Sequence, residues 1–218
     1  MESRPRLLLV AHGTESAAGS DTTARLVDAV RAERSDVDVE IAFLDVVAPR
    51  LVDCRGDRAT VVVPLLLSTG YHVESDIPAA VASWPSTRVA RHLGPDPLII
   101  DVVLDRLLSA RRHPPATTFL VAAGSTRAAA QEELAEAAGV LGTRIGRTVR
   151  VLTMTDDLRA AFTAAEAPVE VATYLLAGGR FTDTLGAAAS GIATVAGPIG
   201  VHPALVRLIW QRYNSIGT

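Results

Sequence analysis

Short apolar runs alternate along the chain with longer stretches whose apolar positions recur at helical spacing. Leu7 to Ala11 is followed by Thr22 to Arg34, with Ala24, Leu26, Val27 and Val30 apolar, and then by Val37 to Leu44. Such alternation predicts repeated βαβ units around a parallel sheet. A further strand is expected over Thr60 to Leu67 and a helix from about Leu98 onwards. The segment Arg111-Arg112-His113-Pro114-Pro115 cannot continue that helix and reads as a linker near the midpoint.

Beyond the linker the pattern recurs in order. Leu9-Val10-Ala11-His12-Gly13-Thr14 matches Leu120-Val121-Ala122-Ala123-Gly124-Ser125, and Val39 to Asp45 pairs with Val149 to Thr155. Leu66 to Gly70 pairs with Leu175 to Gly179, and Leu93-Gly94-x-x-Pro97 with Ile199-Gly200-x-x-Pro203. The chain therefore reads as a duplicated domain. Two tandem α/β lobes are expected, 1–113 and 114–218, each a small doubly wound parallel sheet with flanking helices. The halves share strands and turn glycines but differ at three polar positions: His12 is Ala123, Asp45 is Thr155 and His72 is Phe181. The chemistry is therefore expected in the first half, with the second degenerate at the site.

His12, Asp45 and His72 each lie at or just past the end of a predicted parallel strand, the edge where open α/β sheets bind ligands. Taken singly, His12 also fits a core histidine at a strand end, Asp45 a helix N-cap and His72 a solvent-facing loop residue. Their shared edge and shared loss in the sister half favour a site. Two imidazoles and a carboxylate suit a first-row divalent ion such as Fe, Co or Ni, with coordination positions left open. Glu74, two residues from His72, is a further candidate for the same cavity, although Asp183 occupies its place in the repeat. Asp76 precedes Pro78 and reads as a helix N-cap; His92, in the probable fourth strand, His113 and His202 read as structural or exposed.

Composition narrows the function classes. The chain is 49% apolar and 21% charged, enough to bury a core. All 21 basic residues are Arg, so the lysines of a P-loop or of a pyridoxal phosphate Schiff base have no counterpart. Cys54 is the single cysteine, which leaves His, Asp or Glu to hold any metal. A net charge of −3 with dispersed cations argues against nucleic acid and for small molecules. Leu7 to Ala11 is too short for a secretory signal core, and Val61 to Leu67 falls far short of the ~20 residues of a membrane helix. A cytoplasmic protein without membrane or nucleic-acid partners is expected.

Three motifs carry a family resemblance: Leu8-x-Val10-Ala11-His12-Gly13-Thr14, Phe43-Leu44-Asp45, and Pro64-Leu65-Leu66-Leu67-Ser68-Thr69-Gly70-Tyr71-His72-Val73-Glu74-Ser75-Asp76-Ile77-Pro78. The sequence resembles the class II chelatases of siroheme and cobalamin synthesis, and the third motif is the specific one. The resemblance implies two lobes with a tetrapyrrole bound between them, and insertion of Fe(II), Co(II) or Ni(II) into sirohydrochlorin. It implies that His12 and His72 bind metal and assist proton removal. The family commonly has Glu where this chain has Asp45, one methylene shorter, so Asp45 is expected as an auxiliary ligand. Gly13, Thr14 and Gly70 are the substrate-binding candidates beside the histidines. Arg180, on the second lobe, is expected to meet substrate carboxylates through its planar guanidinium.

The divalent ion is substrate, and no organic cofactor is expected. Because one chain supplies both lobes, an active monomer is expected. The alternative is a metal or tetrapyrrole carrier that binds stoichiometrically without turnover. A hydrolase using Ser68 or Ser125 is disfavoured, for no Gly-x-Ser-x-Gly elbow is present.

Overall fold

The computed structural model describes residues 4–216. It contains two four-stranded, all-parallel sheets of identical topology. The first comprises β1 (Arg6–Ala11), β2 (Val39–Phe43), β3 (Thr60–Pro64) and β4 (Thr87–Val89) in the order β2-β1-β3-β4. The second comprises β5 (Thr117–Ala122), β6 (Val149–Thr153), β7 (Val169–Tyr174) and β8 (Ala193–Val195) in the order β6-β5-β7-β8. The α/β class, the parallel sheets and the duplication expected from the apolar pattern are all present. Among the described residues no helix is long and apolar enough to cross a membrane.

Among the described residues seven α-helices flank the sheets: α1 (Ala17–Glu33), α2 (Ile77–Val81), α3 (Pro97–Ala110), α4 (Ala128–Ile145), α5 (Leu158–Thr163), α6 (Arg180–Ala189) and α7 (Pro203–Asn214). In the first sheet Leu7, Leu8, Leu9 and Val10 are all fully buried, as are Val62 and Val63. Side chains alternate across a strand, so burial of consecutive residues requires cover on both faces. Leu8, Val10 and Val62 pack with Ile77 and Val81 of α2, with Leu51 and with Trp84. The opposite face is left to α1 and α7, which contact each other, β2 and β3. In the second sheet Phe119, Val121 and Val171 pack with Leu158, Phe162 and Leu185 of α5 and α6, and α3 and α4 pack together, with α3 also against β7.

The packing units depart from the sequence repeat. One compact unit comprises residues 1–93 and 201–218, the other 94–200, in place of the division expected at 113/114. The reason is an exchange of helices. Helix α3 closes the first repeat in sequence but packs in the second unit, and α7 closes the second repeat but packs in the first. The two helices start alike. Asp96 caps α3 by accepting from Leu98 N at 3.0 Å, and His202 caps α7 by accepting from Ala204 N at 3.1 Å through Nδ1, which gives His202 the structural role expected of it. Arg111, read as linker, donates to Glu170 through Nε and Nη2, each at 2.8 Å, and Thr118 donates to the same carboxylate at 2.8 Å.

Candidate functional site

The carboxyl ends of β1, β2 and β3 lie together because the strands are parallel and in register. The β1–β2 ladder runs on past both strands, with Leu44 N donating to Ala11 O and Asp45 N to His12 O, each at 2.9 Å. His12 is thereby the first residue beyond β1, and it is exposed. Gly13 follows at φ +100°, where a Cβ would stand 2.2 Å from the Asp45 carbonyl oxygen. Only glycine fits that turn.

His72 is placed by a longer route. Leu65 N bonds Val10 O at 2.7 Å, and Leu93 N bonds Leu66 O at 2.8 Å. His92, 4% exposed, shares a 3.1 Å hydrogen bond between its Nε2 and Thr69 Oγ1, and its carbonyl accepts from Arg212 Nε at 3.1 Å. It lies beyond β4 rather than in it, and it buttresses the turn that precedes His72. His72 to Asp76 then forms a π-helical segment in which Ile77 N donates to His72 O. Pro78 lacks the N–H that would close an α-turn on Glu74, and its ring crowds that carbonyl; the chain answers with a wider turn. Such π segments recur at functional sites.

This arrangement brings His12 and His72 edge to face, with ring centroids 4.8 Å apart and an interplanar angle of 80°. His72 Nδ1 lies 2.6 Å from Asp76 Oδ2, and His12 Nδ1 lies 3.3 Å from Gly13 O. Each Nδ1 faces an oxygen acceptor, which assigns its proton in the neutral ring and leaves the Nε2 lone pair available to a metal or a proton.

The expected third ligand does not join them. Among the described residues no group of three or more His, Cys, Asp or Glu is arranged to hold a metal ion. The Asp45 carboxylate, its side chain 63% exposed, lies 3.6 Å from Arg50 Nη1. Its backbone is anchored beside His12, but one methylene fewer than Glu shortens its reach. Glu74 is exposed on the π segment. A Cβ added at Gly70 would meet nothing within 4 Å, so the local packing does not itself demand glycine. Thr14 Oγ1 accepts from Ser16 N at 3.1 Å, in the turn that leads to α1. A cleft of about 210 Å³ lined by Thr14, Thr23, Val27, Arg31, Phe43 and Val47 includes neither histidine, and it is smaller than the ~300–1,000 Å³ of common ligand pockets. Arg180, in the other unit, is the exposed first residue of α6.

Residues 6–110, which hold His12, Asp45, His72 and Asp76, match the CbiX family. That segment is just under half of the chain. Over 150 residues it is 28% identical to a sirohydrochlorin ferrochelatase of Priestia megaterium, a stretch covering 62% of this chain and 56% of that protein. The match thus spans about half the length of that curated relative. The chain also resembles the crystal structure of the sirohydrochlorin chelatase SirB from Bacillus subtilis subspecies spizizenii in complex with cobalt. The TM-score is 0.78 at 22% identity, covering 98% of this chain and 95% of that one. CbiX, the terminal enzyme for biosynthesis of siroheme in denitrifying bacteria, gives a TM-score of 0.73 at 21% identity over 98% and 100% of the two chains. These structural likenesses establish a shared fold.

One residue of the site departs from its sequence reading. Asp76 occupies the N-cap position of α2, but it has helical dihedrals and makes no side-chain cap hydrogen bond. Its carboxylate goes to His72 instead. The signal lies in the spacing, because residues four apart on a helical turn are neighbours, and it is masked by the capping pattern Asp-x-Pro.

Proposed function

We propose that this chain is a sirohydrochlorin chelatase, inserting Fe(II), Co(II) or Ni(II) into the macrocycle during siroheme or cobalamin synthesis. The observation that carries the reading is the pair of imidazoles, His12 and His72, whose ring centroids lie 4.8 Å apart beyond the carboxyl ends of the parallel strands β1 and β3. Insertion releases two pyrrole protons as two N–H bonds give way to metal–nitrogen bonds, so the site must both hold an ion and accept protons. Neutral imidazole does either near pH 7, its free pKa being ~6.5.

His12 and His72 bind the incoming ion through Nε2, and with few protein donors most of its coordination sphere stays open. As pyrrole nitrogens replace the protein donors, the freed imidazoles take up the departing protons and pass them to water. Asp45 and Glu74 serve as auxiliary carboxylates, and Gly13, Thr14 and Gly70 border the substrate. Arg180 pairs with a substrate carboxylate. Both repeats lie in one chain, so the active species is a monomer, and it works in the cytoplasm. The test is the absorption spectrum of sirohydrochlorin with each metal in parallel. Many turnovers per chain are expected, whereas a change that stops at one equivalent identifies a carrier.

A further inference from the structure

The Asp76 carboxylate lies 2.6 Å from His72 Nδ1, on the side of the ring away from the nitrogen that would ligate an ion. We propose that Asp76 is a positioning residue: it fixes His72 as the Nδ1–H tautomer and leaves its Nε2 lone pair free to ligate an ion. This deepens the chelatase reading and rests on it for the reaction, though not for the tautomer.

Three independent observations converge. The first is the contact itself, between side chains that are each 38% exposed. A half-exposed carboxylate at a helix N-cap ordinarily accepts from the backbone N–H groups ahead of it, and Asp76 makes no such bond. The second is the π-helical segment, which begins at one partner and ends at the other, so the backbone irregularity runs from one member of the dyad to the other. The third is the repeat. At the spacing that pairs His72 with Phe181, Asp76 pairs with Leu185, which is fully buried in the second core. The half that lacks the histidine therefore also lacks its carboxylate, and an apolar residue there packs inward.

The chemistry of the arrangement is general. An imidazole that donates its far N–H to a carboxylate is held in one tautomer and one orientation, and its ligating nitrogen becomes more basic. Loss of such a partner typically weakens metal binding or activity by about 10–100-fold. Asp76 touches neither metal nor macrocycle in this scheme, and acts only through His72.

The test compares wild type with Asp76→Ala and Asp76→Asn, using full-length protein. Nitrogen-15 NMR of the imidazoles reports the tautomer, and titration with Co(II) alone reports the metal affinity. Asp76→Ala should shift His72 away from the Nδ1–H signature and weaken Co(II) by about 10–100-fold. Asp76→Asn, which keeps an oxygen acceptor, should restore the signature and most of the affinity. Circular dichroism confirms the fold of each variant. Sirohydrochlorin turnover should fall through kcat, with KM for the macrocycle little changed. An Asp76→Ala protein that keeps both the Nδ1–H signature and wild-type Co(II) affinity overturns the proposal. Because those two readouts contain no tetrapyrrole, a wild type that bound Co(II) but failed to convert sirohydrochlorin would overturn the chelatase reading alone.

Discussion

After β3 the chain turns through Gly70 and enters a π-helical segment, whereas after β7 it turns through Gly179 and enters the regular helix α6. The two segments are repeats of one another, so their side chains explain the difference. In the second half Thr182 caps the helix, accepting from Gly179 N at 2.8 Å; the first half has Val73 there, which has no hydroxyl to offer. Position 187 is Ala, where the first half has Pro78. A capped start and a continuous donor ladder give an α-helix; an uncapped start and a proline give a wide turn with its side chains re-aimed. The lesson is that one half kept helical regularity and the other gave it up at the place where His72 and Asp76 stand.

The largest expected effect comes from converting first-half residues into their second-half counterparts. His12→Ala and His72→Phe should each lower sirohydrochlorin turnover by at least ~100-fold, the lower end of what a positioned acid–base group contributes. Neither ring is in the core, since His12 is exposed and His72 half-buried, so stability should shift by only about 0.5 kcal/mol. Turnover by absorbance and a denaturant midpoint measure the two quantities. Near-normal turnover in either variant removes the site.

The next comparison sets one ion pair from each packing unit against the other. The Glu170 side chain is 4% exposed and is matched by Arg111 at 2.8 Å, while Arg50 and Asp45 are 49% and 63% exposed and 3.6 Å apart. Removing Arg111 strands a buried carboxylate, so Arg111→Ala should cost about 3–5 kcal/mol. Arg50→Ala gives up only a screened surface pair, worth about 0–1 kcal/mol. Hydrogen exchange should show the loss of protection in β5 and β7 for the first variant and no comparable loss for the second.

Gly13→Ala and Gly124→Ala form a matched pair with smaller effects. Both glycines have left-handed φ, +100° and +93°, and both would place a Cβ under 3 Å from a neighbour. At Gly13 the obstacle is the backbone carbonyl of Asp45, at Gly124 the side chain of Thr153. Each should destabilise by about 1–3 kcal/mol, and thermal melts should rank Gly13→Ala as the worse. Only Gly13→Ala should also reduce turnover, because the displaced loop carries His12.

The sheets are legible in the sequence because parallel strands buried on both faces read as uninterrupted apolar runs such as Leu7 to Ala11, and the duplication supplies its own internal control. Strand ends and the pair His12 and His72 follow from the same reading. The helix exchange is not legible: α3 and α7 present similar starts and similar apolar content, and nothing in either sequence states which sheet it will cover. The role of Asp76 is hidden by Pro78, which signals a helix start but here produces a π turn. Asp45 stands out in the sequence because its backbone lies where a ligand's should, while the direction of its carboxylate depends on Arg50, five residues on.

Asp45 gives the last and smallest effect. It belongs to the same strand end as His12, through the 2.9 Å bond from its own N–H to the His12 carbonyl, so its position is fixed even though its carboxylate is not gathered with the imidazoles. A group that exposed, facing Arg50, is screened by solvent and contributes little to an ion held by the two histidines. Asp45→Ala should therefore lower turnover by less than about tenfold, under ~1.4 kcal/mol, well short of either histidine change. The backbone bond survives the substitution, so the His12 turn should keep its form. If the missing methylene is what limits this carboxylate, Asp45→Glu should restore reach and tighten Co(II) beyond wild type in the same titration. Loss in Asp45→Ala equal to that in His12→Ala would require Asp45 to leave Arg50 and ligate the ion, which would make the loaded site a three-donor centre unlike the two-imidazole arrangement of His12 and His72.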